Sequence, residues 1–90
     1  MTQNVSITLQ NTDEGRGIIA AIMADNPDAV ANRYPAMTKI DCPGRLVMNR
    51  ETISTELGRD YDLQELNLTL VCLSGNVDED DDRLLIAWNA

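Results

Sequence analysis

The chain has 90 residues, which predicts one small domain over residues 1–90 with little room for a large buried cofactor. Apolar residues make up 43% of the chain and phenylalanine is absent, so aliphatic side chains must fill a modest core. Fifteen acidic against seven basic residues give a formal charge of −8, which argues against nucleic acid as a partner. An acidic surface of this kind suits a basic patch on another protein.

The first half of the chain predicts strands around one helix. Residues 5–9 alternate apolar and polar side chains, the period of a half-buried strand with one inward face. Thr12 or Asp13 then caps a helix that ends before the Asn26–Pro27 turn, and its apolar stripe is Ile18, Ile19, Ile22 and Met23. Residues 29–34 predict a short strand that Pro35 stops, and residues 37–42 predict a second strand.

The second half opens with the stretch KIDCPGRLVMNRE, residues 39–51, which predicts a hairpin that turns at Pro43 and Gly44 and returns over residues 46–48. Asn49 caps a second helix, which stops at Gly58. Asp62 caps a single turn, and residues 66–74 alternate as a long strand. An acidic loop over residues 76–82 then connects this strand to a neighbouring last strand, residues 83–88.

This β-α-β-β-β-α-β-β order predicts an α+β fold. We expect a mostly antiparallel sheet with two to three helices on one side. A split into two smaller sheets is the alternative arrangement.

Catalysis by this chain alone is disfavoured because histidine is absent, and histidine is the commonest general base and transition-metal ligand. Aspartates at 78, 80 and 82 match the first ligand positions of a calcium loop, but Arg83 and Asn89 replace its essential Gly and Glu. Gly15 and Gly17 open a helix as in a dinucleotide site, yet the preceding acids would repel a pyrophosphate. We therefore predict no catalytic residue, metal site or cofactor.

The positions of the two cysteines indicate a structural role for their side chains and not a reactive one. Cys42 and Cys72 form no C-x-x-C pair, so we expect reduced, partly buried thiols in a cytoplasmic protein. Asp41 beside Cys42 raises the expected pKa of that thiol, which makes a redox role less favourable. The longest apolar stretch, residues 18–24, is far shorter than the ~20 residues that span a bilayer, and the MTQNVS start has no targeting character.

Six short motifs, read in order, carry a family resemblance: DNP at 25–27, YPAM at 34–37, KID at 39–41, PGRLV at 43–47, RETI at 50–53 and LSG at 73–75. The chain resembles the effector, or coupling, proteins of bacterial multicomponent phenol hydroxylases. These are regulatory components of soluble di-iron monooxygenases. The resemblance extends from the first strand to Trp88.

The resemblance implies a cofactor-free, non-catalytic protein that docks on a separate hydroxylase component, which carries the di-iron centre. Docking promotes productive O2 activation and hydroxylation of an aromatic substrate, and the working system also needs a reductase. The rival interpretation is a stand-alone α+β regulatory domain that senses a small ligand.

For the hydroxylase interface we predict residues between 26 and 50, because polar and aromatic groups on rigid turns suit recognition and Arg and Tyr are enriched among interface anchors. The candidates are Asn26, Tyr34, Pro35, Met37, Lys39, Asp41, Arg45 and Arg50. For Pro35 a turn role, and for Met37 a core role, is the structural alternative.

Overall fold

The computed structural model describes residues 3–88. Its elements are β1 (Asn4–Gln10), α1 (Asp13–Asp25), β2 (Val30–Arg33), β3 (Met37–Pro43), β4 (Arg45–Asn49), α2 (Arg50–Leu57), a 3-10 helix (Leu63–Leu68), β5 (Leu70–Ser74), β6 (Asn76–Glu79) and β7 (Arg83–Ala87). The strands form two antiparallel sheets, ordered β2-β3-β1-β5 and β4-β7-β6. The α+β prediction is confirmed, in its split-sheet form.

Strand β1 lies at the centre of the larger sheet. Val5, Ile7 and Leu9 are fully buried and join the core, as their spacing predicts. Ser6 and Thr8 on the opposite face are also buried, with 8% and 5% of their surface exposed. Ser6 and Thr8 are short and stand beside Asp41 and Lys39 of β3, so neighbouring side chains shield this face of β1 more than the half-buried pattern predicts.

Helix α1 begins where the sequence predicts it. The Thr12 hydroxyl accepts a hydrogen bond from the Gly15 backbone N–H at 2.9 Å, which satisfies a donor at the helix start. A side chain at Gly15 would approach the Gln10 carbonyl oxygen to 2.0 Å, and one at Gly17 would approach Leu57 Cδ2 to 2.5 Å. These glycines therefore allow close packing of α1 on the end of β1 and on α2.

The predicted hairpin between β3 and β4 is wrong. Strand β4 pairs with β7 in the smaller sheet, and β3 cannot accept it because β1 and β2 already occupy both of its edges. Gly44, with a φ of 78°, makes the turn at the predicted position. That turn carries the chain from one sheet to the other.

The predicted strand over residues 66–74 is correct only from Leu70 onward. Asp62 and Glu65 form a reciprocal capping box, and the 3-10 helix that they start continues to Leu68. Leu66 is consequently buried while Leu68 is 76% exposed. The alternating leucines thus follow a helical turn before they enter the sheet.

The acidic segment is not a simple loop, because its first four residues form β6, which pairs with β7. The Asp80 carboxylate accepts hydrogen bonds from the backbone N–H groups of Asp82 and Arg83 at 2.8 and 2.9 Å. These bonds lower the pKa of the Asp80 carboxyl and close the β6–β7 turn. Strand β5 lies beside β1 and is therefore not a neighbour of β7.

Helix α2 has the predicted limits, with Gly58 in the left-handed conformation at its C-terminus (φ 72°). Asn49 occupies the N-cap position, but its side chain does not cap the helix. It donates instead to the Asp25 carboxylate at 2.9 Å and so links the end of α1 to the start of α2. None of the helices within residues 3–88 combines the length and apolar character needed to cross a membrane.

Candidate docking surface

One face of the larger sheet presents the β3 candidates. Alternation along β3 buries Thr38, Ile40 and Cys42 and turns Met37, Lys39 and Asp41 to the opposite side, which we call the outer face. Helices α1 and α2 pack on each other and on β4. The outer face is accessible along β3 and β2, since Val30 is 58% exposed, Met37 is 38% exposed and the Lys39 side chain is 45% exposed.

A four-residue turn over residues 34–37, here called the docking turn, joins β2 to β3. The Tyr34 N–H donates to the Met37 carbonyl at 2.8 Å. Asn11, in the β1–α1 connection, donates its side-chain amide to the Tyr34 carbonyl at 2.8 Å and its backbone N–H to the Ala36 carbonyl at 3.0 Å. Its side-chain oxygen accepts from the Thr38 hydroxyl at 2.6 Å. Asn11 therefore stabilises the conformation of this turn. Tyr34, on the same turn, is 51% exposed.

The outer face has a polar centre. Lys39 Nζ lies 3.8 Å from an Asp41 carboxylate oxygen, and the Asn32 side chain on β2 donates to the other oxygen at 3.0 Å. These partly exposed contacts add little stability and leave the charged groups accessible to a partner.

Apolar side chains flank this polar centre. Val30 stands beside Asp41 across the β2–β3 pairing and is 58% exposed. Met37 is 38% exposed, and Val71 is 48% exposed at an irregularity in the β1–β5 pairing. A mixture of charged, aromatic and exposed apolar groups is the composition expected of a protein-binding surface. Val30 and Val71 are not among the predicted contact residues, because their positions beside Asp41 and Met37 depend on strand pairing.

Asn26 does not belong to this surface, because only 7% of it is exposed. Its side-chain amide donates to the Ile22 and Val47 carbonyls, each at 2.7 Å, and its side-chain oxygen accepts from the Val47 N–H at 2.9 Å. Among the predicted contact residues Asn26 is the buried one, and this burial argues against a direct contact with a partner. The side chain holds the end of α1 against the free edge of β4.

Arg45 and Arg50 lie apart from the docking turn. Arg45 begins β4, beyond the end of β3 that is remote from the turn, and shares a shallow cavity with Asp25 and Asp28. Arg50 follows the other end of β4, about 16 Å from Arg45 at the usual rise of a strand. Its guanidinium lies 3.7 Å from the Asp82 carboxylate. The structure therefore groups Tyr34, Pro35, Met37, Lys39 and Asp41, and separates both arginines from them.

Three of the titratable groups with shifted pKa values, Arg59, Tyr61 and Glu65, lie together: the Arg59 guanidinium donates to the Glu65 carboxylate at 3.3 Å and lies 5.7 Å from the centre of the Tyr61 ring. Burial, with a contribution from Asp28, raises the pKa of the Cys42 thiol, which disfavours the reactive thiolate. Burial also raises the pKa of Tyr61, and the neighbouring Glu14 and Glu65 add to the shift. Cys72 is a free thiol that is exposed, and not partly buried as predicted. Within residues 3–88, no three acidic or cysteine side chains are grouped to hold a metal ion.

Comparison with known proteins identifies the family. Residues 3–87 match the profile of the MmoB/DmpM family. The chain belongs to the MmoB/DmpM family. Among MmoB/DmpM proteins, it is similar to the stimulatory component DmpM of phenol 2-monooxygenase from Pseudomonas sp. (strain CF600), with 43% identity over 88 residues, 98% of each chain. The predicted resemblance is thereby confirmed.

Solved structures of other proteins show the same fold. Two chains from structures of a phenol hydroxylase–regulatory protein complex match with TM-scores of 0.92 and 0.88 and sequence identities of 47% and 44%. The alignments cover 97% and 96% of this chain and all of each matched chain. The soluble methane monooxygenase regulatory protein B has a TM-score of 0.75 at 19% identity, over 93% of this chain and 64% of its own, a likeness of fold alone.

Proposed function

We propose that this chain is the non-catalytic regulatory component of a multicomponent phenol hydroxylase. It binds the hydroxylase component, which carries the di-iron centre, and promotes productive O2 activation and substrate hydroxylation. The observation that carries this proposal is the end-to-end similarity, 47% identity and a TM-score of 0.92, to a chain from a phenol hydroxylase–regulatory protein complex. Both cysteines are free thiols, which supports a reducing, cytoplasmic location.

A protein without a reactive group regulates its partner through binding energy. The effector must bind one hydroxylase conformation more tightly than another, because equal affinity for both shifts no equilibrium. A difference of about 1–3 kcal/mol changes the population ratio roughly 5- to 150-fold. A surface that is already ordered before binding, such as the docking turn held by Asn11, suits selective binding, because little of the contact energy is lost in ordering it.

We propose that the hydroxylase contacts the docking turn and the outer face, through Tyr34, Pro35, Met37, Lys39 and Asp41. Three features support this choice: the exposed Tyr34 ring, the rigid support from Asn11, and the uncovered face of β3. Aromatic anchors on preformed turns are frequent hot spots of protein interfaces. Arg45 and Arg50 remain candidates for secondary contacts at other edges of the molecule.

Reconstitution tests the function directly. Adding the chain to purified hydroxylase and reductase is expected to increase the hydroxylated product formed per reduced nicotinamide consumed. Product and cofactor are measured in the same reaction, with and without the chain. An unchanged ratio contradicts the proposal. A melting temperature that rises with a small aromatic ligand in the absence of any partner would instead indicate a stand-alone sensor.

Replacing Tyr34 by alanine is expected to raise the concentration needed for half-maximal stimulation by roughly tenfold or more, as truncation of an interface anchor does. The matched control is Val77→Ala, which shortens an apolar side chain of similar exposure (47%) in the smaller sheet. Titration of hydroxylase activity gives the concentrations, and thermal unfolding shows that both variants are folded. Equal curves for the two variants would remove Tyr34 from the interface.

A further inference from the structure

A cleft between α1 and the β2–β3 pair gathers positive charge. It has a volume of about 330 Å³ and is lined by Asn11, Arg16, Ile19, Arg33, Pro35 and Thr38. Two of the seven basic side chains of the whole sequence meet here, and the described lining contains no acidic side chain, although the chain has 15 acids. Asp13, outside this lining, pairs with Arg16, so the uncompensated charge of the cleft is that of Arg33, on a protein with a formal charge of −8.

Most of the free hydrogen-bond donors of the cleft belong to its two guanidinium groups. Asn11 and Thr38 are bonded to each other, and the Asn11 amide also donates to the Tyr34 carbonyl. Arg16 uses one terminal nitrogen on Asp13 at 3.0 Å and keeps its other N–H groups. Arg33 makes no ion pair within 4 Å among residues 3–88. A planar fork of free N–H donors is the group that best recognises a carboxylate.

We propose that this cleft receives a glutamate or aspartate side chain of the hydroxylase component. The inference rests on the proposed function, because the occupant belongs to that partner. Arg16 and Arg33 bind the carboxylate, while Ile19 and Pro35 contact its aliphatic stem. The cleft adjoins the docking turn through Pro35 but lies on the helix side of the sheet, because Arg33 pairs with the inward-facing Thr38, so a partner that contacts both the cleft and the outer face must reach around the docking turn.

Charge explains what such a contact adds to docking. Elsewhere the excess of acidic groups repels an acidic partner residue, whereas at this cleft the same residue is attracted. An attractive position on a largely acidic surface favours those orientations of the two proteins that bring it to a partner carboxylate. The cleft thereby helps to set the register of the docking turn on the hydroxylase.

Charge reversal tests the proposal. We expect Arg33→Glu to raise the dissociation constant for the hydroxylase by roughly tenfold or more, as disruption of a desolvated charge pair does. Arg16→Glu is expected to act in the same direction. The matched control is Arg83→Glu on β7, which makes the same charge change at an exposed arginine with no ion pair among residues 3–88. Arg33→Lys should retain part of the affinity, because lysine keeps the charge but loses the fork.

Binding is measured by titration of the purified hydroxylase with each folded variant, with thermal unfolding as the check on folding. If Arg33→Glu and Arg83→Glu weaken binding equally, net charge explains the effect and the cleft proposal is overturned, while the proposed function stands. If the wild-type chain neither binds the hydroxylase nor stimulates it, both proposals fall. The two failures are therefore distinguishable.

Discussion

Replacing Asn26 by alanine is expected to lower the free energy of unfolding by about 2–4 kcal/mol. Val47 lies in β4, an edge strand of the smaller sheet, and its N–H and carbonyl groups are both bonded to the Asn26 side chain. The amide thus acts as a short strand partner at that edge. Alanine leaves both backbone groups without a partner in a part-buried site. Urea denaturation followed by circular dichroism measures the loss.

The matched control is Asn32→Ala, which removes an exposed asparagine whose side chain donates to Asp41 at 3.0 Å. Its expected effect is within about 0.5 kcal/mol, as for most surface substitutions. If Asn26→Ala lowers the free energy of unfolding no more than Asn32→Ala does, the hydrogen bonds between the Asn26 side chain and Val47 contribute little to stability. Our assignment of Asn26 to a structural role would then lose its basis.

Substituting Gly15 by alanine is expected to destabilise the domain by about 1–3 kcal/mol, the usual cost of overpacking. At an ordinary position within a helix the same change is favourable by up to about 1 kcal/mol. The sign reverses here because the added Cβ would lie 2.0 Å from the Gln10 carbonyl oxygen, and a backbone atom cannot rotate away. Helix α1 must then shift from the end of β1. Thermal and urea unfolding report the change.

Gly17→Ala separates this clash from helix propensity. A Cβ at Gly17 would meet Leu57 Cδ2 at 2.5 Å, at the end of a flexible side chain that has room to rotate. The propensity gain and the repacking cost then nearly offset each other, and we expect a change within about 1 kcal/mol. Stabilisation by both substitutions would show that α1 does not pack as closely on β1 as the structure indicates.

Local signals were sufficient for the elements whose limits depend on neighbouring residues. The Thr12 cap, the stop at Gly58 and the Asp62 cap each involve groups a few residues apart, and all three lie where the sequence predicts them. The strand that pairs with β4 could not be predicted from neighbouring residues. It depends on which strands already occupy the edges of β3, and no local pattern contains that information.

The residues of the candidate surface likewise fall into those that a local pattern places and those that only the tertiary structure places. The strand predicted over residues 37–42 is present, and its alternation places Lys39 and Asp41 opposite the buried side chains. Asn26 could not be assigned from its turn motif, since its bonding partner Val47 is 21 residues away. The meeting of Arg16 with Arg33 likewise depends on how α1 packs beside β2, which is a property of the tertiary structure.

Lys39, described above as half of an ion pair on the outer face, is the only lysine in the sequence. Its side chain is 45% exposed. Apart from the α-amino group, the chain therefore offers amine-selective reagents a single point of attachment. A fluorophore or cross-linker introduced through this chemistry reports from the centre of the outer face, with no need to engineer the protein.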